Sequence, residues 1–600
     1  MDTQQRRLAA STVGSRRSLR MSFKRLVLVM LLAVAALSGC DQGGNGSTGG
    51  IPANAIQISI VYSPEFAPFM PALMDQFNSA YAEGRNPVTG AALASGEKPI
   101  YITGKDGSSG TVMQGIVNAI IAPNNQNVER PTIFSPSVSH WLALANFQSG
   151  RQLFDLADTQ ATALAPVVMA IWESRLNAIR QTVGYDDVGW EELLQVLNSP
   201  NGWQDFGLPN ARRQVYYGHT DPYVSSTALS TLIAEFYASA RSNGFTGRVL
   251  TLDEVRDEDV QEGVRNIEQL IRHYSRRTTE FKEYIAQGTE YLDFVALEEN
   301  DLIYINQGKT SLKPPERLVA LYPKEGTFWH EHPMGIVNAD WVTAEQREAA
   351  RVFVDFMLTE PVQELVMENG FRPANPAVEL AFPFVPENGI DVDGPPEVLN
   401  VPDPEVVAEI QQSWSFVKKQ ADVLLVIDVS GSMNGDKITQ ARTAAEAFIN
   451  ALEVDNRVGL AVFSDDYREV IPMNRLESNL NQILPAVRNV RANGGTELYL
   501  AVQRAVEQMS AVDDANRIRA VVVLSDGQDT GTQGVTLADA TRAIGATRED
   551  VNPVIVIPVA YGSDADINAL NAIARASATR VASGDPSNIG AVLDIISSYF

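Results

Sequence analysis

Three separated stretches near the end of this 600-residue chain offer oxygen ligands: Asp428, Ser430 and Ser432 in DVSGSM, Thr496 in GGT, and Asp526 in SDG. Small hard cations are held in octahedral oxygen shells by hydroxyls, one or two carboxylates and waters, with a position left for an outside oxygen. That chemistry calls for Mg²⁺, or Mn²⁺ or Ca²⁺ in its place. Three hydroxyls and only two carboxylates leave a dication poorly neutralised, so the natural further ligand is an Asp or Glu carboxylate from a partner protein. Serine and aspartate also favour helix caps and turns. Five such positions in order, each following its own strand, make a more specific pattern than caps alone.

The elements that must position these residues are legible around them. Residues 421–427, apolar apart from Asp422, form a run ending at Asp428, as expected of a strand buried on both faces. Beyond the loop, Ile438, Ala441, Ala445, Phe448 and Leu452 recur at helical steps. Residues 458–463, 520–524 and 554–559 read as further apolar strands, separated by helical stretches at 498–509 and 567–576. The alternation predicts a doubly wound α/β domain, with the ligands over the carboxyl ends of its strands. The pattern resembles the von Willebrand factor A domain and its metal-ion-dependent adhesion site, which Asp428, Ser430, Ser432, Thr496 and Asp526 match position by position. The resemblance covers residues 414–600 and implies a Rossmann-like fold. It also implies that the serines and threonine contact the metal, while the aspartates act directly or through water.

Upstream, one arrangement of strand, small-residue turn and helix start recurs. Residues 100–103 lead into Gly107, Ser108, Ser109, Gly110 and Thr111; residues 132–134 into Ser135, Pro136, Ser137, Val138 and Ser139; Tyr216 and Tyr217 into GHTDPYVSST. Free backbone N–H groups and hydroxyls converge at such turns and make a pocket for an anion or a polar oxygen, although an ordinary helix cap uses the same residues. Ser63 followed by Pro64 predicts a capped helix running to about Tyr81, and Thr343 with Gln346 predicts a capping box. This region, residues 56–382, resembles bacterial extracellular solute-binding proteins, the two-lobed receptors of ABC importers. The resemblance implies a periplasmic-binding-protein-like fold, with Ser108, Ser109, Ser137, Ser225 and Ser226 binding a small polar solute and Tyr217 and Trp141 as apolar walls. His330, Glu331 and His332 lack a further spaced donor for zinc. Six prolines among acids and glycine over residues 383–413 predict an exposed, semi-rigid linker.

Charge and the amino terminus bound the setting. Lys24 and Arg25 precede an apolar stretch over residues 26–37, short for a bilayer span but suited to an export signal. The sequence Leu37-Ser38-Gly39-Cys40 resembles a bacterial lipobox, which implies a signal peptide over 1–39, lipidation of Cys40 and anchoring to the cell membrane from outside the cytoplasm. Met21 is an alternative start, and Ser15, Arg16, Arg17 and Leu19 weakly resemble a twin-arginine signal. A flexible tether is expected over 40–55. Seven basic residues and one acid precede Cys40, so their removal takes the formal charge from −26 to −32, which disfavours nucleic acid as a partner. The sequence carries no hydrolase elbow, P-loop or zinc-protease motif. The expectation is therefore a binding protein without catalysis.

Overall fold

The computed structural model describes residues 51–600, apart from 53, 125–127, 276, 513, 515, 548–551, 578, 580 and 598. Cys40, the expected signal segment and most of the expected tether lie outside the described residues. The first lobe takes β1 (Ile56–Tyr62), β2 (Ile100–Asp106), β3 (Ile133–Ser135) and β4 (Gln160–Ala161). The chain then crosses to a second lobe for β5 (Ala165–Trp172), β6 (Tyr217–Thr220), β7 (Ile271–Ser275), β8 (Phe294–Glu298), β9 (Leu318–Leu321) and β10 (Trp329–His330), and returns for β11 (Pro333–Ile336). The first sheet runs β2-β1-β3-β11-β4; the second runs β10-β5-β8-β6-β7, with β9 beside β5. β5 is buried along its whole length, as its unbroken APVVMAIW requires.

The carboxyl-terminal domain is one six-stranded sheet, β12 (Ala421–Asp428), β13 (Arg457–Phe463), β14 (Tyr467–Arg475), β15 (Ile518–Ser525), β16 (Val554–Tyr561) and β17 (Ala582–Gly584), ordered β14-β13-β12-β15-β16-β17. All neighbours are parallel except β13 and β14. β12 lies at the centre with every residue buried. Each fully buried Val, Leu or Ile there contributes roughly 1.5–3 kcal/mol, so this strand is a rigid base for the loop that follows.

Three expectations are corrected. The segment 383–413 is not an exposed linker: Phe384, Ile390, Leu399, Val406, Val407 and Ile410 are buried. Leu399 N–H donates to the Thr327 carbonyl at 2.8 Å, and the helix Pro404–Val417 crosses the expected domain boundary at 414. Its Pro404 occupies the first helical turn, where proline is tolerated, and Val407, Ile410, Trp414 and Val417 make a buried stripe that the proline-rich composition obscured. Ser63 does not cap a helix either. Pro64–Phe66 form a single 3₁₀ turn, the helix starts at Met70, and the Ser63 hydroxyl lies 3.3 Å from His332 Nδ1. Tyr217 is no cleft wall: it is wholly buried, with its hydroxyl donating to Glu235 Oε1 at 3.2 Å. The capping box is present, Thr343 Oγ1 accepting from Gln346 N–H at 3.2 Å and Gln346 Oε1 from Thr343 N–H at 3.0 Å.

Candidate functional site

In the carboxyl-terminal sheet, β12 and β15 are parallel neighbours with Ile427 opposite Leu524. Their carboxyl ends therefore deliver Asp428 and Asp526 to the same edge, as an open α/β sheet does with its ligand residues. Asp428 organises the loop: Oδ1 accepts from the Ser430 N–H at 2.8 Å and Oδ2 from the Ser525 hydroxyl at 2.6 Å. Burial raises its carboxyl above the ordinary value, and the bonds from Ser430 and Ser525 oppose that rise. The Ser430 and Ser432 hydroxyls are 2.9 Å apart, and Ser432 donates to Asp526 Oδ1 at 2.8 Å. Thr496 is pinned from another loop, its N–H donating to Thr530 Oγ1 at 3.0 Å.

Gly527 shows how these pieces meet. A Cβ on it would stand 3.7 Å from both Ser432 Oγ and Thr496 Oγ1, so the two hydroxyls border one small space that glycine leaves open. Ser432 is exposed while Asp428, Ser430, Thr496 and Asp526 are buried, which gives the site one open side. Convergent hydroxyls and carboxylates on a fixed base suit a hard divalent cation. Sequence reasoning missed Lys437. Its ammonium lies 2.6 Å from Asp526 Oδ2 and 3.5 Å from Asp564 Oδ2, so it neutralises the outer oxygen of Asp526. Asp526 and Lys437 are 89 residues apart, and no local spacing signals their pairing.

All five serines singled out upstream line one cavity between the lobes, together with Glu65, Arg277 and Thr278. The lobes are closed on each other: Gly110 N–H in the first donates to the Val224 carbonyl in the second at 3.1 Å, and Trp141 Nε1 donates to Ser226 Oγ at 3.0 Å. Ser225 acts partly as an ordinary cap, accepting from Ala228 N–H at 3.3 Å, and its hydroxyl is 2.7 Å from Thr278 Oγ1. Ser109 Oγ accepts from Ser137 N–H at 3.3 Å, and the Ser137 hydroxyl donates to Glu65 Oε2 at 3.2 Å. The space between them is about 20 Å³, room for one water-sized group. Burial, with Glu298 and Asp301 adding to it, pushes the Glu65 carboxyl up to about 7.

Behind the cleft, Glu298 is clamped by two imidazoles, His330 Nδ1 at 2.7 Å and His332 Nε2 at 3.1 Å. The remaining ring nitrogens face Ser230 Oγ at 3.0 Å and Ser63 Oγ at 3.3 Å, so neither histidine has a nitrogen free for a metal. Burial would raise the Glu298 carboxyl, but His332 and His330 outweigh it and hold it far below the usual carboxylate range.

Two lobes closed over a polar cavity, followed by a doubly wound sheet with oxygen ligands at its carboxyl edge, define a two-module binding protein. The family of bacterial extracellular solute-binding proteins matches residues 58–372 and the von Willebrand factor type A domain matches residues 422–593. The first match spans more than half of the chain, which belongs to the bacterial extracellular solute-binding proteins and carries a von Willebrand factor A domain at its carboxyl end. A von Willebrand factor A domain-containing protein of Dictyostelium discoideum is 26% identical over 153 residues, 25% of this chain and 16% of that protein. Inter alpha-trypsin inhibitor heavy chain 4 of Mus musculus is 32% identical over 117 residues, 18% of this chain and 12% of that protein. The chain thus spans about a sixth or less of the length of these two curated relatives. Among solved structures, a von Willebrand factor type A protein from Catenulispora acidiphila is 23% identical with a TM-score of 0.27, covering 30% of this chain and 43% of that one. The pilus adhesin SpaC from Lactobacillus rhamnosus GG is 16% identical with a TM-score of 0.26, covering 30% of each chain. Domains of these kinds are typical of binding and adhesion proteins rather than enzymes. Among the described residues no helix is long and apolar enough to cross a membrane.

Proposed function

We propose that this chain is an extracytoplasmic binding protein, anchored to the bacterial cell membrane through lipidated Cys40, whose A domain grips a protein partner through a divalent cation. Ser430, Ser432 and Thr496 hold the cation, with Asp428 and Asp526 helping directly or through water. Mg²⁺ is the expected ion, with Mn²⁺ or Ca²⁺ able to replace it. The observation that carries the reading is the convergence of Ser432, Thr496 and Asp526 around the space beside Gly527, open to solvent on the Ser432 side. When bound, the cation supplies a positive centre for a partner's Asp or Glu carboxylate. The residues of this chain fix the loop and supply the oxygens, while Lys437 neutralises one oxygen of Asp526. The test has two arms. Calorimetric titration with Mg²⁺ should find one site that disappears in Asp428→Ala and Ser432→Ala. Envelope proteins retained by the immobilised chain in Mg²⁺ should be released by EDTA, and retention indifferent to chelator and to Asp428→Ala would sink the mechanism. For the anchor, Cys40→Ser should release the chain from the membrane fraction.

A second reading has its own observation. Because Ser108, Ser109, Ser137, Ser225 and Ser226 all line one cavity between the lobes, the chain also fits the substrate-binding component of an ABC importer for a small polar solute. The cavity of about 20 Å³ limits that solute, in the closed state, to a compact group. Native mass spectrometry of chain purified without denaturation should show a co-bound small molecule that Ser108→Ala or Ser225→Ala loses; a bare chain would leave the A domain as the working module.

A further inference from the structure

In the second lobe, away from both sites above, two carboxylates and an imidazole turn toward one another inside the protein. His219 comes from β6, Glu235 from the middle of the helix Ser226–Ser242, and Glu268 from the end of the helix Glu258–Glu268. None is more than 2% exposed. His219 Nδ1 lies 2.7 Å from the Thr220 carbonyl oxygen, which only accepts, so Nδ1 carries the proton. With Nδ1 engaged there, Nε2 is the ring nitrogen left facing the carboxylates, 4.0 Å from Glu268 Oε1. The outer oxygens of both acids are already held: Tyr217 donates to Glu235 Oε1 at 3.2 Å, and Tyr274 to Glu268 Oε2 at 2.8 Å. That leaves Glu235 Oε2, Glu268 Oε1 and His219 Nε2, and none of these three buried atoms has a hydrogen-bond partner. One ligand atom from each residue lies within 4.8 Å of the others.

Three acceptors facing one another in a dry interior repel, and something positive must stand between them. A proton shared by the two carboxyls would satisfy two of the atoms and leave the imidazole nitrogen orphaned. A dication satisfies all three and balances the two carboxylate charges. We propose that His219 Nε2, Glu235 and Glu268 bind a first-row divalent transition-metal ion of the Zn²⁺ type as a buried structural centre. With Nε2 and Glu268 Oε1 4.0 Å apart and no pair of donors beyond 4.8 Å, a central ion stands no more than about 2.8 Å from each donor, and small inward movements of the side chains reach the 2.0–2.2 Å that zinc takes. An imidazole that binds through one nitrogen while the other donates to a backbone carbonyl is the usual support for such a ligand, and the two tyrosines support the carboxylates in the same way. A nitrogen donor disfavours Mg²⁺ and Ca²⁺, so this centre differs in kind from the oxygen site of the A domain.

Its position gives it a structural role. The Trp414 ring lies 5.3 Å from both the His219 and the Tyr274 rings. The Tyr274 hydroxyl that holds Glu268 also accepts from the Lys419 N–H at 2.9 Å, two residues before β12 begins. The ion would therefore fasten the second lobe to the root of the A domain. The test uses the full chain with Asp526→Ala, which removes a ligand of the oxygen site. After EDTA treatment and dialysis, Zn²⁺ should be retained at one equivalent through gel filtration, with an X-ray absorption edge showing one imidazole and oxygen donors. Glu235→Gln and Glu268→Gln, which keep the hydrogen-bonding shape, should each weaken Zn²⁺ by about 100-fold. Retention below a tenth of an equivalent, or equal retention by both Gln variants, overturns the proposal in favour of a proton-bridged pair. Should the Gln variants fold poorly, the absorption edge of the Asp526→Ala chain decides alone: a shell without imidazole refutes the site.

Discussion

Gly110→Ala tests whether the closed cleft depends on backbone contact between the lobes. Gly110 stands at the second residue of the helix Ser109–Ile121, where its conformation suits alanine as well as glycine. The obstacle is purely steric. A Cβ there would overlap the Tyr223 carbonyl oxygen of the opposite lobe and come within 2.8 Å of the Trp141 ring, where ordinary contacts begin at 3.4 Å. The lobes must part, and the Gly110 to Val224 hydrogen bond at 3.1 Å goes with the contact. Overpacking costs typically 1–3 kcal/mol and the lost bond about 1, while the helix propensity that alanine adds is the same in the open and closed states and cancels. The closed state should thus lose about 3 kcal/mol, roughly 150-fold in the closed-to-open ratio. Gly115→Ala is the control, since a Cβ there meets nothing within 4 Å in the same helix. Spin labels on Asp75→Cys and Glu258→Cys, exposed positions on helices of opposite lobes, report the separation by double electron–electron resonance in a Cys40→Ser background. Gly110→Ala should lengthen and broaden the distance distribution while Gly115→Ala leaves it unchanged. An unaltered distribution in folded Gly110→Ala, or equal opening by the control, refutes the reasoning.

Glu65 makes stability depend on pH. Its folded pKa of about 7 lies above the ordinary 4.5, so its contribution is complete below about pH 4.5 and lost as pH rises to about 7. Glu65→Gln should therefore gain over the unaltered chain at pH 8 but not at pH 4.5, by at most about 3 kcal/mol and less because the cleft wall is partly solvated; urea unfolding at both pH values measures it, and a pH-independent difference contradicts the assignment. Lys437→Gln removes the cation beside Asp526, and calorimetry should find Mg²⁺ bound about tenfold tighter; weaker binding would mean that the lysine mainly holds Asp526 in position. Trp414→Ala leaves a hole between His219, Tyr274 and the helix that joins the domains, and should cost 3–5 kcal/mol. Calorimetric scanning should show the single transition dividing, with the A domain unfolding separately.

What the sequence discloses depends on how far each interaction reaches along the chain. β12, β13, β15 and β16 were readable because strands covered on both faces are nearly all apolar, buried Asp422 and Arg519 near their starts excepted. Asp428, Ser430, Ser432 and Asp526 follow directly from where those runs stop, whereas Thr496 follows no strand and lies between the helices Leu476–Arg488 and Leu498–Ser510. The cleft serines were readable for a similar local reason, each sitting where a strand gives way to a helix. Lys437, Glu65 and the Glu298 clamp were not, because their partners arrive from other elements: His330 is 32 residues from Glu298, and Ser137 is 72 from Glu65. The helix Pro404–Val417 was hidden in another way. Its proline and acids mark a linker by composition, whereas the stripe of Val407, Ile410, Trp414 and Val417 decides burial.

That helix also bears on whether the two modules can influence each other. It packs on His140–Ser149 of the first lobe and on Ser226–Ser242 and Glu258–Glu268 of the second, so it spans the closed cleft before leading into β12. Tyr223 belongs to both contacts. Its carbonyl abuts Gly110 across the cleft, and its hydroxyl donates to the Gln411 carbonyl of the helix at 2.7 Å, while Gln411 Nε2 donates to the Pro222 carbonyl at 2.9 Å. Opening the lobes must carry this turn away from one of its neighbours, either Gly110 or the helix. If the turn stays with the helix, the first lobe moves alone and the A domain is unaffected. If it stays with the first lobe, the bed of the helix changes ten residues before β12, the strand that ends in Asp428. Two hydrogen bonds hold the turn region on each side, Gly110 N–H to Val224 and Trp141 Nε1 to Ser226 across the cleft and the pair at Gln411 toward the helix, so bond count does not choose. The turn is covalently continuous with β6 and the helix Ser226–Ser242 and moves with the second lobe, which favours the first course. On this balance the A domain and the second lobe form one rigid body, and the first lobe is the moving part.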